Sequence, residues 1–279
     1  MKLSKRRALL LAFCITALCS LLVAVPLLMH HEPDLPTEED LQNAIAKAID
    51  FLEDTREPYA PLWLDVMHRR FGIAEFADAL QRYDQVLTEQ PEQSPLMYVF
   101  RRIADYYNPL QAEELQAVSL PSDRVIAYAL YCDRPELGLP SGYSEMLDTE
   151  ASQGEYHLTH VLLAWIWIQE NGCELALPDG FIDEVYRANA AIIKNNPRVV
   201  DDLKLEAAAF LYLAGQGALV DDSFVERVIA RQNDDGGWGV SSDGQGDSYW
   251  HSTILGLLVL LHVEFPADSY PPVLDSMSP

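Results

Sequence analysis

The sequence predicts an all-α protein in which one transmembrane helix precedes an array of helical hairpins. Three observations predict this fold class. An uncharged run near the N-terminus is long enough to cross a bilayer, later apolar residues recur at intervals of three and four, and no stretch alternates with period two. These patterns divide the chain into a membrane anchor (1–29), a linker (30–36), a helical domain (37–265) and a C-terminal tail (266–279).

The uncharged run at residues 8–29 is the predicted anchor. Its 22 residues form roughly 33 Å of helix, which is enough to cross a hydrocarbon core. Basic residues such as Arg6 and Arg7 precede it, and acidic residues follow it. The positive-inside rule then predicts a single-pass protein whose C-terminal domain lies on the periplasmic or extracellular side. A cleaved signal peptide is the alternative, although its apolar core usually spans about 7 to 15 residues.

The predicted exported part is strongly acidic. From residue 30 onward it carries 15 Lys and Arg against 43 Asp and Glu, a formal charge of −28. Such a domain repels nucleic acid and anionic headgroups, so the sequence predicts no nucleic-acid partner. This charge has two interpretations. The first is that it keeps the domain soluble, and the second is that the domain binds cations or basic partners.

Two of the four cysteines, Cys132 and Cys173, lie beyond the anchor. An oxidising compartment permits a disulfide between them. Two free cysteines that are buried separately are the alternative. The sequence leaves both arrangements open.

Helical periodicity fills the predicted domain. Thr37, followed three residues later by Asp40, is typical of a capping pair that opens a helix. In the C-terminal half, the segments 161–168, 207–214 and 254–261 are apolar on nearly every side, whereas the intervening helical segments carry a polar face. Buried and surface helices thus alternate, as two layers of helical hairpins require.

Three polar residues stand directly before the apolar bodies of the buried helices. His160, Glu206 and His251 occupy this place, at spacings of 46 and 45 residues. This regularity predicts a helical-hairpin repeat in which each unit buries its face against its neighbours. Asp123 opens a weaker unit, 37 residues before His160.

A turn near the C-terminus resembles a known family. Gln232 is followed by Asn-Asp-Asp-Gly-Gly and Trp238, which resembles the glutamine–tryptophan repeat of terpenoid cyclases and protein prenyltransferases. The segment 247–253 is similar to the one that supplies a zinc-binding histidine, here His251, in prenyltransferase β subunits. The resemblance covers residues 225–261 and implies an α/α toroid, in which Gln232 and Trp238 tie one hairpin to the next.

The chain also departs from both families. No cysteine follows Asp235 to complete the prenyltransferase zinc site, and the Asp-x-Asp-Asp motif of squalene-type cyclases is absent. Protein prenylation and protonation-initiated cyclisation are therefore disfavoured. The resemblance implies a fold more than an activity.

In a toroid, His160, Glu206 and His251 would begin neighbouring inner helices and converge at one end of a central cavity. Two imidazoles and one carboxylate make a zinc shell with one position left for water, whose pKa the metal lowers as hydrolysis requires. His157, one helical turn before His160, is a candidate fourth ligand. The alternative is that these polar residues accept hydrogen bonds from free backbone N–H groups at the helix starts or are simply exposed to solvent.

A zinc shell of this kind needs acceptors that orient its histidines. The acidic residues at or near the same position of each repeat are the candidates for this role, which we call outer partners of the metal ligands. They are Asp123, Glu155, Asp202 and Asp247.

Three classes of function fit these patterns, and the sequence assigns no catalytic residue among them. The first is a protein that binds a small-molecule ligand or a metal in its cavity, with metal-dependent hydrolysis as the candidate activity. The second is a non-catalytic scaffold for a protein partner. The third is an isoprenoid- or lipid-binding protein, which requires an aromatic cavity wall. The candidate wall residues are Trp165, Trp167, Phe210, Tyr249 and Trp250.

Overall fold

Apolar residues that recur every three to four positions make the chain helical, and the all-α prediction is confirmed. The computed structural model describes residues 36–89, 95–241 and 246–275. Within these ranges the protein has no β-strand, and a single isolated bridge pairs Trp238 with Tyr249. The α-helices are α1 (Glu38–Glu53), α2 (Ala60–Phe71), α3 (Ala79–Glu89), α4 (Pro95–Phe100), α5 (Ala112–Gln116), α6 (Pro121–Leu130), α7 (Tyr143–Gln153), α8 (Glu155–Glu170), α9 (Phe181–Lys194), α10 (Asp202–Leu213), α11 (Asp222–Ala230) and α12 (Trp250–Glu264).

The first helix begins where its capping pair predicts. Thr37 Oγ1 accepts a hydrogen bond from the backbone N–H of Asp40 at 3.2 Å. The Asp40 carboxylate accepts one in return from the backbone N–H of Thr37 at 2.7 Å. This reciprocal pair satisfies two of the N–H groups that the first turn of a helix leaves free.

Helices of two kinds alternate in the C-terminal half, as the sequence predicts. Every residue of α12 from Ser252 to His262 is buried, and α8 and α10 are buried on most sides. By contrast, α9 and α11 bury one face and expose the other. A helix that is apolar all round needs neighbours on every side, and the half-exposed helices supply the outer ones.

The buried helices are neighbours in chain order. Helix α6 packs on α8, α8 on α10 and α10 on α12. Helix α12 also packs on α1 and α2. Outer helices lie between them, because α7 contacts both α6 and α8, and α9 contacts both α8 and α10. The starts of four consecutive buried helices are thereby brought close together.

Gln232 and Trp238 tie the last hairpin to the rest of the domain, as expected. Gln232 Nε2 donates to the carbonyl oxygens of Ala44 in α1, at 2.7 Å, and of Gly236, at 2.9 Å. Trp238 Nε1 donates to the Val228 carbonyl oxygen at 2.8 Å. Gly236 has φ +92°, and a Cβ there would lie 2.2 Å from the Lys47 carbonyl oxygen, so the turn requires glycine at this position.

A disulfide joins Cys132 and Cys173, which the sequence left open. It links the chain just after α6 to the turn just after α8, with 6.2 Å between the two Cα atoms. The bond therefore fastens two neighbouring buried helices at their C-terminal ends.

The chain continues to pack beyond the predicted domain end at residue 265. Val273 and Leu274 are buried, and their backbone N–H groups donate to the Glu170 carboxylate at 2.8 and 2.9 Å. Arg69 Nη2 donates to the Val273 carbonyl oxygen at 2.9 Å. We call residues 270–275 the C-terminal strap; it lies against the C-terminal ends of α2, α8 and α12.

The predicted anchor at residues 8–29 lies outside the described residues. Among the helices that the structure describes, none is both long enough and apolar enough to cross a membrane.

Candidate metal centre

The starts of four buried helices supply the polar side chains of one site. Asp123 comes from α6, His160 from α8, Glu206 from α10 and His251 from α12. Because these helices pack side by side in chain order, residues at the same place in each repeat meet at one end of the array. The three residues predicted as zinc ligands are thus brought together.

Glu206 stands between the two histidines. Its Oε1 lies 3.5 Å from Nδ1 of His160, and its Oε2 lies 3.6 Å from Nε2 of His251. The Glu206 side chain is 2% exposed, and the hydroxyl of Thr159 donates a hydrogen bond to Oε1. A carboxylate removed from water in this way requires nearby positive charge or hydrogen-bond donors.

Each histidine has an acceptor for the N–H at its Nδ1 atom. His160 Nδ1 donates to the carbonyl oxygen of Tyr156 at 2.7 Å. His251 Nδ1 donates to the Asp202 carboxylate at 3.0 Å. A neutral ring held in this tautomer keeps its lone pair on Nε2, which in His251 faces Glu206. Nε2 of His160 lies 3.8 Å from the carboxylate of Asp123.

Asp202 is held firmly behind His251. Besides the imidazole, it accepts a hydrogen bond from Ser252 Oγ at 2.6 Å and one from the Tyr156 hydroxyl at 2.9 Å. Three donors fix the orientation of this carboxylate, which in turn fixes the ring of His251. Metal-bound histidines in proteins are oriented by carboxylates placed in this manner.

The acidic surroundings favour positive charge on both histidines. Burial opposes protonation of His160, but its contact with Glu206 and the nearby Asp123 raise its pKa above the ordinary value. Burial likewise opposes protonation of His251, whose pKa is raised by the bond to Asp202 and by Glu206. Burial opposes ionisation of Asp202, but its hydrogen bonds to His251, Ser252 and Tyr156, together with the charge of His251, lower its pKa. Burial raises the pKa of Asp123, and Glu206 adds to the rise.

Asp202, Glu206 and His251 are compact enough to hold one metal ion, because their potential ligand atoms all lie within 4.8 Å of one another. The sequence predicted Asp202 as an outer partner and His160 as a ligand. The hydrogen bonds of Asp202 favour the outer role, since both of its oxygens already accept donors. His160 is not part of this compact group, because its Nε2 lies against Asp123 at 3.8 Å, and its role as a ligand stays a prediction.

Three predicted residues do not join this group. His157 lies near His160 in sequence, but its Nδ1 donates to the Glu150 carboxylate of α7 at 2.6 Å. Glu155 is exposed at the first position of α8, and Asp247 is exposed in the loop before α12. Of the predicted outer acids, the structure brings only Asp123 and Asp202 into contact with the histidines among the residues it describes.

Sequence reasoning missed three residues that hold the site together. Thr159 bonds Glu206, and both Ser252 and the hydroxyl of Tyr156 bond Asp202. Two of them directly adjoin a predicted ligand in sequence, and Tyr156 lies one helical turn before His160. Their polar side chains within otherwise apolar helices were the available signal.

The site opens onto a cavity of about 300 Å³. Asp123, His160, Glu206 and His251 contribute its charged and imidazole groups. Much of the remaining wall is aromatic and is formed by Tyr59, Trp63, Phe100, Trp167, Phe210 and Trp250. Two aromatic residues predicted for this wall lie elsewhere: Trp165 Nε1 donates to the Tyr186 hydroxyl at 3.2 Å, and Tyr249 is 41% exposed.

Comparisons with known proteins add no relative. No family model, no curated protein and no solved structure matches this chain. The functional argument therefore depends on the geometry of the site.

Proposed function

We propose that this protein binds a divalent metal ion, with zinc the best fit, through His160, Glu206 and His251 at the wall of its apolar cavity. One observation carries the proposal. The buried Glu206 carboxylate lies 3.6 Å from Nε2 of His251 and 3.5 Å from Nδ1 of His160, and both Nδ1–H groups are donated to other acceptors, so each ring would bind a metal through its Nε2 atom. Imidazole and carboxylate are common zinc ligands, and three protein ligands with an open position are typical of catalytic zinc sites.

The charge of the site supports a cation. Three carboxylates, those of Asp123, Asp202 and Glu206, lie beside two histidines, and Asp202 and Glu206 are buried. When both rings are neutral, as ligation requires, the group carries three negative charges. A divalent ion offsets most of this charge in a region where unpaired charge is costly.

Hydrolysis is the activity that we propose for this centre. A zinc ion with an open position lowers the pKa of water toward neutrality, which makes water a nucleophile. Asp123 forms part of the cavity wall beside His160 and is the group we assign as proton acceptor for the attacking water. Asp202 and Thr159 position His251 and Glu206 through hydrogen bonds.

For the architecture, we propose an α/α toroid-like array of helical hairpins. Contacts between successive buried helices, with outer helices between them, support this arrangement. The glutamine–tryptophan turn, in which Gln232 bonds α1 across 188 residues, supports it too.

For the location, we propose a retained membrane anchor at residues 8–29 and a domain on the periplasmic or extracellular side. The disulfide between Cys132 and Cys173 supports this location, since such bonds persist in oxidising compartments. Washing membranes with alkaline carbonate tests the anchor. The full-length chain should stay in the pellet, whereas release into the supernatant would favour a cleaved signal peptide.

Metal content of the purified full-length protein tests the proposed function. We expect one equivalent of zinc by elemental analysis after incubation with zinc and removal of free ion. The double variant His160→Ala, His251→Ala should lose it, while the control His157→Ala on the same helix should retain it. A folded protein without zinc, or zinc retained in the double variant, would contradict the proposal.

An isoprenoid- or lipid-binding protein without chemistry is the second candidate. The aromatic wall contributed by Trp63, Trp167, Phe210 and Trp250 favours it. This function predicts that an apolar fluorescent probe binds equally well with and without zinc. The metal centre predicts instead that zinc binds in the absence of any apolar ligand.

A further inference from the structure

A second groove adjoins the cavity. It has a volume of about 240 Å³ and is lined by Leu96, Val99, Val118 and Leu120, among others. Leu96 and Asp123 line both the groove and the cavity. The two spaces therefore adjoin at a wall that includes Asp123, beside His160 of the proposed centre.

Both spaces have apolar walls, and the charge where they meet is negative. Leu120 is 59% exposed and presents an apolar side chain at the groove. The charged side chains that line the two spaces are Asp123 and Glu206 in the cavity and Glu114 and Asp123 in the groove. Acidic walls repel an anionic ligand and accept an uncharged one.

The sizes of the two spaces limit the ligand. A water molecule occupies about 30 Å³ of liquid volume, so the cavity of about 300 Å³ holds on the order of ten non-hydrogen atoms. By the same measure the groove of about 240 Å³ holds on the order of eight. Each space fits one short apolar arm, and Asp123 lies in the wall that the two spaces share.

We infer that the substrate is an uncharged carboxylic ester with an apolar arm on each side of its ester bond, one in the cavity and the other in the groove. This inference rests on the proposed hydrolytic function and names its substrate class. The ester group lies beside Asp123 and His160, where the two spaces meet. Leu96, which lines both spaces, contacts the substrate near the ester bond.

The reaction consumes one water molecule. The oxygen of water forms a bond to the carbonyl carbon, and one of its protons passes to Asp123. The bond between the carbonyl carbon and the alkoxide oxygen then breaks, and Asp123 returns the proton to the departing oxygen. The products are one carboxylic acid and one alcohol, so atoms and charge balance.

Two esters and two tryptophan variants test the inference in the full-length, zinc-loaded protein. Hexyl hexanoate has two long arms, whereas methyl hexanoate has one, which should occupy the larger, aromatic cavity. Ala117→Trp fills the groove at an exposed position. Ala188→Trp is the matched control, because it fills a separate groove of about 240 Å³ between α7 and α9.

We expect Ala117→Trp to lower kcat/KM for hexyl hexanoate at least tenfold, since each methylene that loses apolar contact costs roughly fourfold. Hydrolysis of methyl hexanoate should be unchanged in this variant, and Ala188→Trp should leave both esters unaffected. The monohexyl ester of adipic acid should be a poor substrate for the wild-type protein, because its arm ends in a carboxylate.

Zinc content measured on the same samples separates the two possible failures. Bound zinc without hydrolysis of either ester would overturn the substrate class and leave the metal centre standing. Equal loss on both esters in Ala117→Trp, or no loss on either, would overturn the two-armed substrate. Absence of zinc would overturn the proposed function, and this inference with it.

Discussion

Helix α12 carries a histidine near each end, and the two environments shift the histidine pKa in opposite directions. His251 lies at the site, where burial opposes protonation but the bond to Asp202, together with the charges of Asp202 and Glu206, raises its pKa. His262 lies at the other end, where burial lowers its pKa to about 4. One end of the helical array thus favours a charged histidine, and the other favours a neutral one.

The contacts of His262 explain the difference. Its Nδ1 donates to the Leu258 carbonyl oxygen at 2.7 Å, and its Nε2 accepts a hydrogen bond from Arg70 at 3.3 Å. The rings of Phe71, Tyr212 and Tyr270 surround it, with centroids 4.9 to 5.4 Å away. Protonation would place a second cation against Arg70, so the ring stays neutral.

The C-terminal strap completes this second end. The pKa of Arg70 is lowered to about 10 by burial, and its guanidinium lies 4.5 Å from the ring centroid of Tyr270 in the strap. Glu170 holds the strap backbone through Val273 and Leu274. The polar groups named here have partners within the protein, whereas Asp123 and Glu206 at the first end line a cavity. Function is therefore expected at the first end and stability at the second.

Removal of the central carboxylate should have the largest effect on the first end. In Glu206→Ala, we expect the zinc dissociation constant to rise by more than about 100-fold, which exceeds the usual effect of losing an outer partner. Competition with a coloured zinc chelator measures this constant. The control Glu150→Ala removes a carboxylate that contacts only His157 among the histidines described, and its zinc affinity should be unchanged. Equal losses in both variants would place the metal elsewhere.

The second end should control stability in mild acid. Because the folded pKa of His262 is about 4 and its unfolded value is 6.5, its contribution is fully present above pH 6.5 and is lost as the pH falls toward 4. The loss reaches about 3 kcal/mol of unfolding free energy. Urea denaturation of zinc-free protein between pH 7 and 4 measures it.

His262→Gln should flatten this pH dependence, because glutamine does not titrate. The difference between wild-type and variant isolates His262 from the other titrating groups. A variant at residue 262 with an unchanged slope would show that acid destabilises the protein elsewhere.

The outer partner of His251 should have the smallest of the three effects. Asp202→Asn keeps the shape of the side chain but removes the charge that orients and polarises the ring. We expect zinc affinity to fall by about 10- to 100-fold, the usual consequence of losing such a partner. Isothermal titration of zinc measures it. An affinity equal to that of the wild type would mean that Asp202 serves only the fold.

Repeat spacing made the first end predictable. Because His160, Glu206 and His251 recur at 46 and 45 residues, the sequence placed them at one level of neighbouring helices. The structure brings them within 3.6 Å through Glu206. Their outer partners were less predictable. A step of three residues turns a helix by about 60° short of a full circle, which directs His157 toward Glu150 of α7 instead of the cavity.

The direction of each side chain around an apolar helix could not be read from the sequence. Trp165 and Trp167 are two residues apart and thus about 200° apart around α8. Trp167 lines the cavity, whereas Trp165 bonds Tyr186 of the outer helix α9. The strap was missed for a different reason: residues 270–275 have no helical periodicity, and their burial depends on distant partners such as Glu170.

X-ray absorption at the zinc edge of the zinc-loaded, full-length protein tests the central claim most directly. We predict nitrogen and oxygen ligands at about 2.0 to 2.1 Å, with the multiple-scattering signal of two imidazoles. One of these imidazole signals should disappear in His251→Ala. A sulfur shell at about 2.3 Å, or a spectrum that is identical in the variant, would show that the metal is not held by His160, Glu206 and His251.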